Sequence, residues 1–93
     1  MNPSEPLVTA EVEEVCSGEA PVVVRFEEDH LGAGRVLVRR RNLVHPFVVW
    51  RWATKLTDGS PVRTPTGAML WSGGYYASEA EAIIDLRSRG RTR

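Results

Sequence analysis

The sequence predicts a small α+β domain: a four-stranded, mostly antiparallel sheet in meander order, with a C-terminal helix packed on one face. Three observations carry that prediction. The run from Val44 to Thr54 has the highest local density of large apolar side chains and holds two of the three tryptophans, so it reads as a largely buried central strand. Further runs of β-branched and aromatic residues lie on either side of it, separated by turn residues. Near the end of the chain, Ser78-Glu79-Ala80-Glu81 has the form of a capping box and announces a helix.

Taken in order, residues 1–6 contain two prolines and few apolar side chains and read as a loose arm. From Leu7 to Gly18 two readings compete. Val8, Val12, Val15 and Cys16 fall at i, i+4, i+7 and i+8, one face of a short helix, with Gly18 suited to ending it. Val8, Ala10 and Val12 also alternate with Thr9 and Glu11 as in a strand; the helix is favoured. After Pro21, Val22, Val24 and Phe26 share one face with Arg25 and Glu27 on the other, the pattern of a half-buried strand. Residues 28–34 read as a loop with Gly32 and Gly34 supplying positive φ. Residues 35–41 return as an antiparallel strand. Asn42 and Pro46 bracket the turn into the central strand, and Thr57-Asp58-Gly59-Ser60 is a tight-turn signal. Residues 61–67 carry two prolines and are an edge or loop. Residues 68–76 form the last strand, in which Gly73-Gly74 signals a bulge or a close backbone approach. The helix expected over residues 78–89 takes its apolar side from Ala80, Ile83, Ile84 and Leu86 and stops at Gly90, before a basic tail at 91–93.

Ninety-three residues fit one domain, spanning 7–90 between arm and tail. An apolar fraction of 42% and a charged fraction of 26% are ordinary for a soluble globular protein. No apolar run approaches the roughly 20 residues a membrane helix needs, and the N-terminus has no secretory pattern. One cysteine, Cys16, excludes an internal disulfide, so a reducing cytoplasm is the expected compartment. Net charge is zero, but residues 1–30 carry eight acids against Arg25 alone, and residues 31–93 carry eleven bases against four acids. That asymmetry implies charged partners or internal pairing. Arginine outnumbers lysine eleven to one, a bias that also follows from a GC-rich genome.

Catalytic and metal chemistry find little support. Cys16 has no motif around it and reads as a small buried hydrophobe. His45 precedes Pro46 at the start of a strand, where a structural hydrogen bond is the common role. Asp29-His30 in a glycine-bearing loop is at best a weak acid–base pair. There is no Cys-x-x-Cys, no His-x-x-x-His and no calcium-binding loop, and Gly32-Ala33-Gly34-Arg35 lacks the third glycine of a dinucleotide fingerprint. No cofactor or metal is implied, and the expected role is binding without catalysis.

The residues that suggest binding are arginines and aromatics. Arg39, Arg40 and Arg41 lie in or at the end of a strand, Arg51 sits between Trp50 and Trp52, and Arg87 and Arg89 close the helix. Trp71, Tyr75 and Tyr76 surround the double glycine. Aromatic residues and arginine are enriched at binding hot spots, and a sheet covered by one helix leaves a second face for docking or an edge for a second copy. The plainer reading puts Trp50 and Trp52 in the core under the C-terminal helix. It pairs the arginines with Glu11, Glu13, Glu14, Glu27 and Glu28, and lets Arg87 and Arg89 complement the helix C-terminus. In scale, uneven charge and lack of catalytic groups the chain resembles small phage or mobile-element inhibitors such as anti-CRISPR proteins; the likeness is one of type and covers no particular stretch. The expected function is a protein-binding module, an inhibitor or a self-associating dimer through a sheet edge. The alternative is a nucleic-acid binder that uses the arginine-rich strand and the C-terminal tail.

Overall fold

The computed structural model describes residues 3–89, so the expected stop at Gly90 and the tail at 91–93 lie outside the described residues. Two helices and four strands follow one another as α1 (Glu5–Val15), β1 (Val22–His30), β2 (Ala33–Arg39), β3 (Phe47–Ala53), β4 (Met69–Tyr76) and α2 (Glu79–Arg89). The sheet is an antiparallel meander in the order β1-β2-β3-β4.

Residues 7–18 contain the helix and not the strand. It begins at Glu5, inside the stretch read as an arm. Pro6 stands in the first turn, where its missing N–H is no loss. Ser4 is buried and its hydroxyl lies 3.1 Å from the Thr54 hydroxyl, which ties the start of α1 to the end of β3. Val8, Val12 and Cys16 are fully buried, whereas Val15 is 52% exposed; the stripe is the i, i+4, i+8 line alone.

The two helices cover opposite faces of the sheet. Val8, Val12 and Cys16 of α1 pack on Val36, Val38, Val48, Trp50 and Trp52. The intervening residues Leu37 and Val49 point the other way and pack with Ala82 and Leu86 of α2. A strand buried on both faces shows a continuous apolar run rather than alternation, which is what β2 and β3 have at residues 36–38 and 48–50. Trp50 and Trp52 are therefore core, but under α1 and not under the C-terminal helix. The face expected to be open is the one that α1 covers.

Two of the three register shifts in the sheet decide which core side chains point where. In β1 the register shifts between Val23 and Arg25. The bulge puts Val23 and Phe26 on the α1 side and Val24 on the α2 side, overturning the expected Val22, Val24, Phe26 face. In β4 the register shifts opposite Trp50, between the partners of Val49 and Arg51. Ser72 adopts φ 57° there, and a Cβ on Gly73 would come within 2.7 Å of Trp50 Nε1. The double glycine thus marks both the bulge and the close approach.

The seven-residue loop expected at 28–34 is a tight hairpin turn at Leu31-Gly32. Gly32 has the expected positive φ, 80°; Gly34 does not. It is a glycine because a Cβ would overlap the Glu27 carbonyl oxygen and reach 2.7 Å from Glu28 Cα. Asp29 and His30 accordingly belong to β1. Strand β2 ends at Arg39, leaving Arg40 and Arg41 beyond it. The Asp58-Gly59 turn forms as expected, with Asp58 Oδ1 accepting from Ser60 N at 2.9 Å.

On α2, Ala82 and Leu86 are buried and Ile83 is partly buried, but Ile84 is 66% exposed and Ala80 is exposed. The buried stripe is rotated from the expected one. The cap is present: Ser78 Oγ accepts from Glu81 N at 3.3 Å and donates to Glu81 Oε1 at 3.1 Å.

Candidate functional site

On the α2 side of the sheet, consecutive strands place Glu27, Arg35, Arg51 and Trp71 directly opposite one another in one row. At the β4 end of this row lies a hollow of about 270 Å³, walled by Arg51, Trp71, Arg89, Asp29 and His30. Ala33, Gly34 and Trp52 complete its lining.

Charges in the row are unevenly shared. Arg35 is almost fully buried. Its Nη2 lies 2.7 Å from both Glu27 Oε1 and Asp29 Oδ1, and its Nη1 donates to the Leu86 carbonyl at 2.8 Å. Its Nε is buried with no hydrogen-bond partner. Arg89 Nε donates to Asp85 Oδ2 at 3.0 Å, and its Nη1 donates to the Ser72 carbonyl. Tyr76 Oη donates to the same Asp85 Oδ2 at 2.5 Å. That shared hydrogen bond, helped by burial, raises the phenol above its ordinary value. These groups meet over Gly74, where a Cβ would come within 2.8 Å of Asp85 Oδ2. Arg51 differs from the other two arginines: its Nη2 donates to the Arg89 carbonyl at 3.3 Å, and among the described residues it has no carboxylate partner.

The structure therefore brings together three of the nine residues singled out in the sequence, Arg51, Trp71 and Arg89. Tyr76 reaches the same group through Asp85, which it shares with Arg89, and the remaining five lie apart. Arg40 follows β2 and bonds Glu19 at 3.3 Å and the His45 carbonyl at 3.2 Å, while its guanidinium carbon sits 4.9 Å from the ring centre of Tyr75. Tyr75 remains half exposed. Tyr76 packs into the α2 core cluster. Arg39, Arg41 and Arg87 are exposed and form no ion pair among the described residues. Arg39 is four residues from Arg35 along β2, about 13 Å from the row.

Among the described residues, the ion pairs to arginine are made by Glu27, Asp29, Glu19 and Asp85. Of the five acids anticipated, Glu27 is among them; Glu11 accepts from the Thr66 hydroxyl at 2.6 Å, and Glu28 accepts from Gly32 N at 2.7 Å. Sequence reasoning missed Arg35 as the centre of the charge network and missed Asp29 and His30 as walls of the hollow. The signal for Arg35 was its place two residues before Leu37, on a face where an acid must follow it inward.

No group of three or more His, Cys, Asp or Glu stands close enough to hold a metal ion among the described residues, and no described helix is long and apolar enough to cross a membrane. Burial pushes the Cys16 thiol above its ordinary value, Glu19 adding to the shift and Arg40 opposing it. A thiol so held is a poor nucleophile. A second hollow, about 340 Å³, opens at the start of α1 among Pro3, Leu7, Leu31, Lys55 and Pro61, and none of the residues singled out in the sequence lines it. No protein-family model, curated protein or solved structure matches the chain.

Proposed function

We propose that the protein is a non-catalytic binding module whose partner is another protein, docked at the hollow between Arg51 and Trp71, and that it acts as an inhibitor or adaptor through that contact. The observation that carries this reading is the pairing of Trp71, 39% exposed, with Arg51, the arginine of the row that has no carboxylate partner among the described residues. Tryptophan and arginine at the centre of a concave patch are the residues that dominate protein interfaces. The distribution of charge supports the same choice. Nucleic-acid affinity needs a continuous run of free cations, whereas Arg35, Arg40 and Arg89 are taken up by acids. Arg39 lies at the end of the sheet where α2 begins and Arg87 near the end where it stops, about 12 Å of helix apart.

Arg39 and Arg41, exposed and unpaired among the described residues, favour a second reading in which this end of the molecule contacts nucleic acid. Self-association through a sheet edge is a third arrangement, and the two register shifts in β1 work against it there.

The test is cross-linking and affinity capture from the source cell with the full chain, wild type against Trp71→Ala, and with Ile84→Ala as a surface control. A partner retained by wild type and control and reduced at least tenfold by Trp71→Ala supports the reading. Capture unaffected by Trp71→Ala overturns it. So does a micromolar complex with single- or double-stranded nucleic acid at about 150 mM salt that Arg39→Glu with Arg41→Glu abolishes.

A further inference from the structure

Building on the protein-binding reading, we infer that the hollow is a subsite for one aspartate or glutamate side chain of an acidic segment of the partner, its carboxylate held on the Arg51 guanidinium and its stem laid against Trp71.

Arg51 is half-buried, and the hydrogen bond its guanidinium makes with described residues is a single one to a backbone carbonyl. A guanidinium presents five N–H donors in a planar fork, so most of this fork is open to an incoming acceptor. The neighbouring acids are committed elsewhere. Glu27 and Asp29 both lie against Nη2 of Arg35, and Asp85 accepts from Arg89 and Tyr76 on one oxygen. Arg35 faces Arg51 directly across β2 and β3, and like charges so placed repel. The two carboxylates answer to Arg35, the more buried of the pair, which leaves Arg51 to be satisfied from outside.

Arg89 cannot take the same role, because its Nε and Nη1 are fixed on Asp85 and on the Ser72 carbonyl. Those bonds hold the rim of the hollow in place. Trp71, opposite Arg51 on the other side, supplies an apolar wall.

Size and charge select among oxyanions. At about 270 Å³ the hollow stands at the small end of ligand sites, which run to roughly 300–1,000 Å³, and has room for a single side chain. A carboxylate matches one guanidinium in charge and in its two parallel acceptors. A phosphate brings more negative charge to a site with Asp29 on its wall, and the repulsion disfavours it.

The experiment uses the full chain and follows the Trp71 indole N–H and the Arg51 Nε–H by NMR during titration with benzoate, benzamide and phenyl phosphate. Benzoate is expected to give saturable shifts at both groups in the millimolar range suited to so small a ligand, benzamide none, and phenyl phosphate weaker ones. Arg51→Leu should remove the benzoate response, and Arg51→Lys, which keeps the charge without the fork, should weaken it at least threefold. A peptide alternating glutamate with apolar residues should bind more tightly than benzoate, and its glutamine counterpart should not bind. Equal response to benzamide, binding that survives Arg51→Leu in a folded variant, or tighter binding of phenyl phosphate overturns the inference. If Trp71→Ala abolishes partner capture while benzoate gives no shift, the carboxylate subsite fails and the docking reading stands. If benzoate binds as expected while partner capture ignores Trp71→Ala, the docking reading fails and the anion site remains.

Discussion

At the scale of single residues, the molecule is governed by a few positions where backbone or charge comes unusually close. Gly34 is the clearest. Its Cβ would collide with the main chain of β1, which cannot move without breaking the β1–β2 ladder. Gly34→Ala is expected to cost about 3 kcal/mol, at the upper end of overpacking losses, read as a lowered urea midpoint. At Gly74 the nearest atoms are the ends of the Asp85, Arg89 and Tyr76 side chains, which can give way. Gly74→Ala should therefore cost less than Gly34→Ala, and the reverse order would show that the β4–α2 contact is the stiffer one. The sequence singled out both glycines, Gly74 for a bulge or a close approach and Gly34 for a positive φ that it does not have. The reason at Gly34 was hidden because a glycine kept for positive φ and one kept for close approach look the same in one dimension.

At the scale of elements, the helices test the distinction between periodicity and orientation. Leu86 is fully buried against Leu37 and Val49, so Leu86→Ala should cost about 3 kcal/mol. Ile84, which the apolar spacing placed on the same side, is two-thirds exposed, and Ile84→Gln should change stability by less than about 0.5 kcal/mol. Thermal or urea unfolding of both variants checks the rotation of the stripe. Ser78→Ala removes the hydroxyl that serves Glu81 N and should cost about 1 kcal/mol. An unchanged midpoint would mean that the cap contributes nothing. The capping box was fully legible because its chemistry is local. The face of α2 was not, since five apolar residues and two arginines in eleven positions allow more than one stripe, and the sheet selects among them.

At the scale of the whole molecule, both faces of the sheet are sealed by helices, and each seal contains a titratable group held neutral. Cys16 lies at the end of α1 and Tyr76 at the β4–α2 contact, and both have their acidity weakened in the fold. For a group whose pKa is raised on folding, the unfolded chain loses its proton first. Its contribution is complete below the ordinary value and is lost as pH rises through the folded one. The ordinary values are 9.0 and 10.0, so stability should be level from pH 7 to about 8.5 and fall progressively above pH 9. Cys16→Ala with Tyr76→Phe should flatten that alkaline decline in urea titrations taken at successive pH values; an undiminished decline would assign it to other groups. Charge acts at this scale too. The acidic first third and the basic remainder meet within the fold at Arg35 and Arg40, so the separation visible along the chain is partly cancelled in space.

What the sequence determined by itself is whatever depends on near neighbours along the chain: the existence of each strand, the antiparallel order, the Asp58-Gly59 turn, the bulge at the double glycine and the capped second helix. The first helix was favoured over a strand in the sequence, and the structure decided between the two patterns in its favour. Its start at Glu5 and its place across the second face of the sheet, over Trp50 and Trp52, rest on contacts between residues far apart in the chain, such as the Ser4–Thr54 hydroxyl pair, and the β1 bulge adds Val23 and Phe26 to that face. A bulge reverses every side chain beyond it, so one extra residue invisible to periodicity redistributes a whole face. The candidate site has the same origin. Arg51, Trp71 and Arg89 each stood out in the sequence, but only the pairing of three antiparallel strands sets Arg35 between the acids and Arg51, and so leaves one guanidinium beside one tryptophan without a charge to answer it among the described residues.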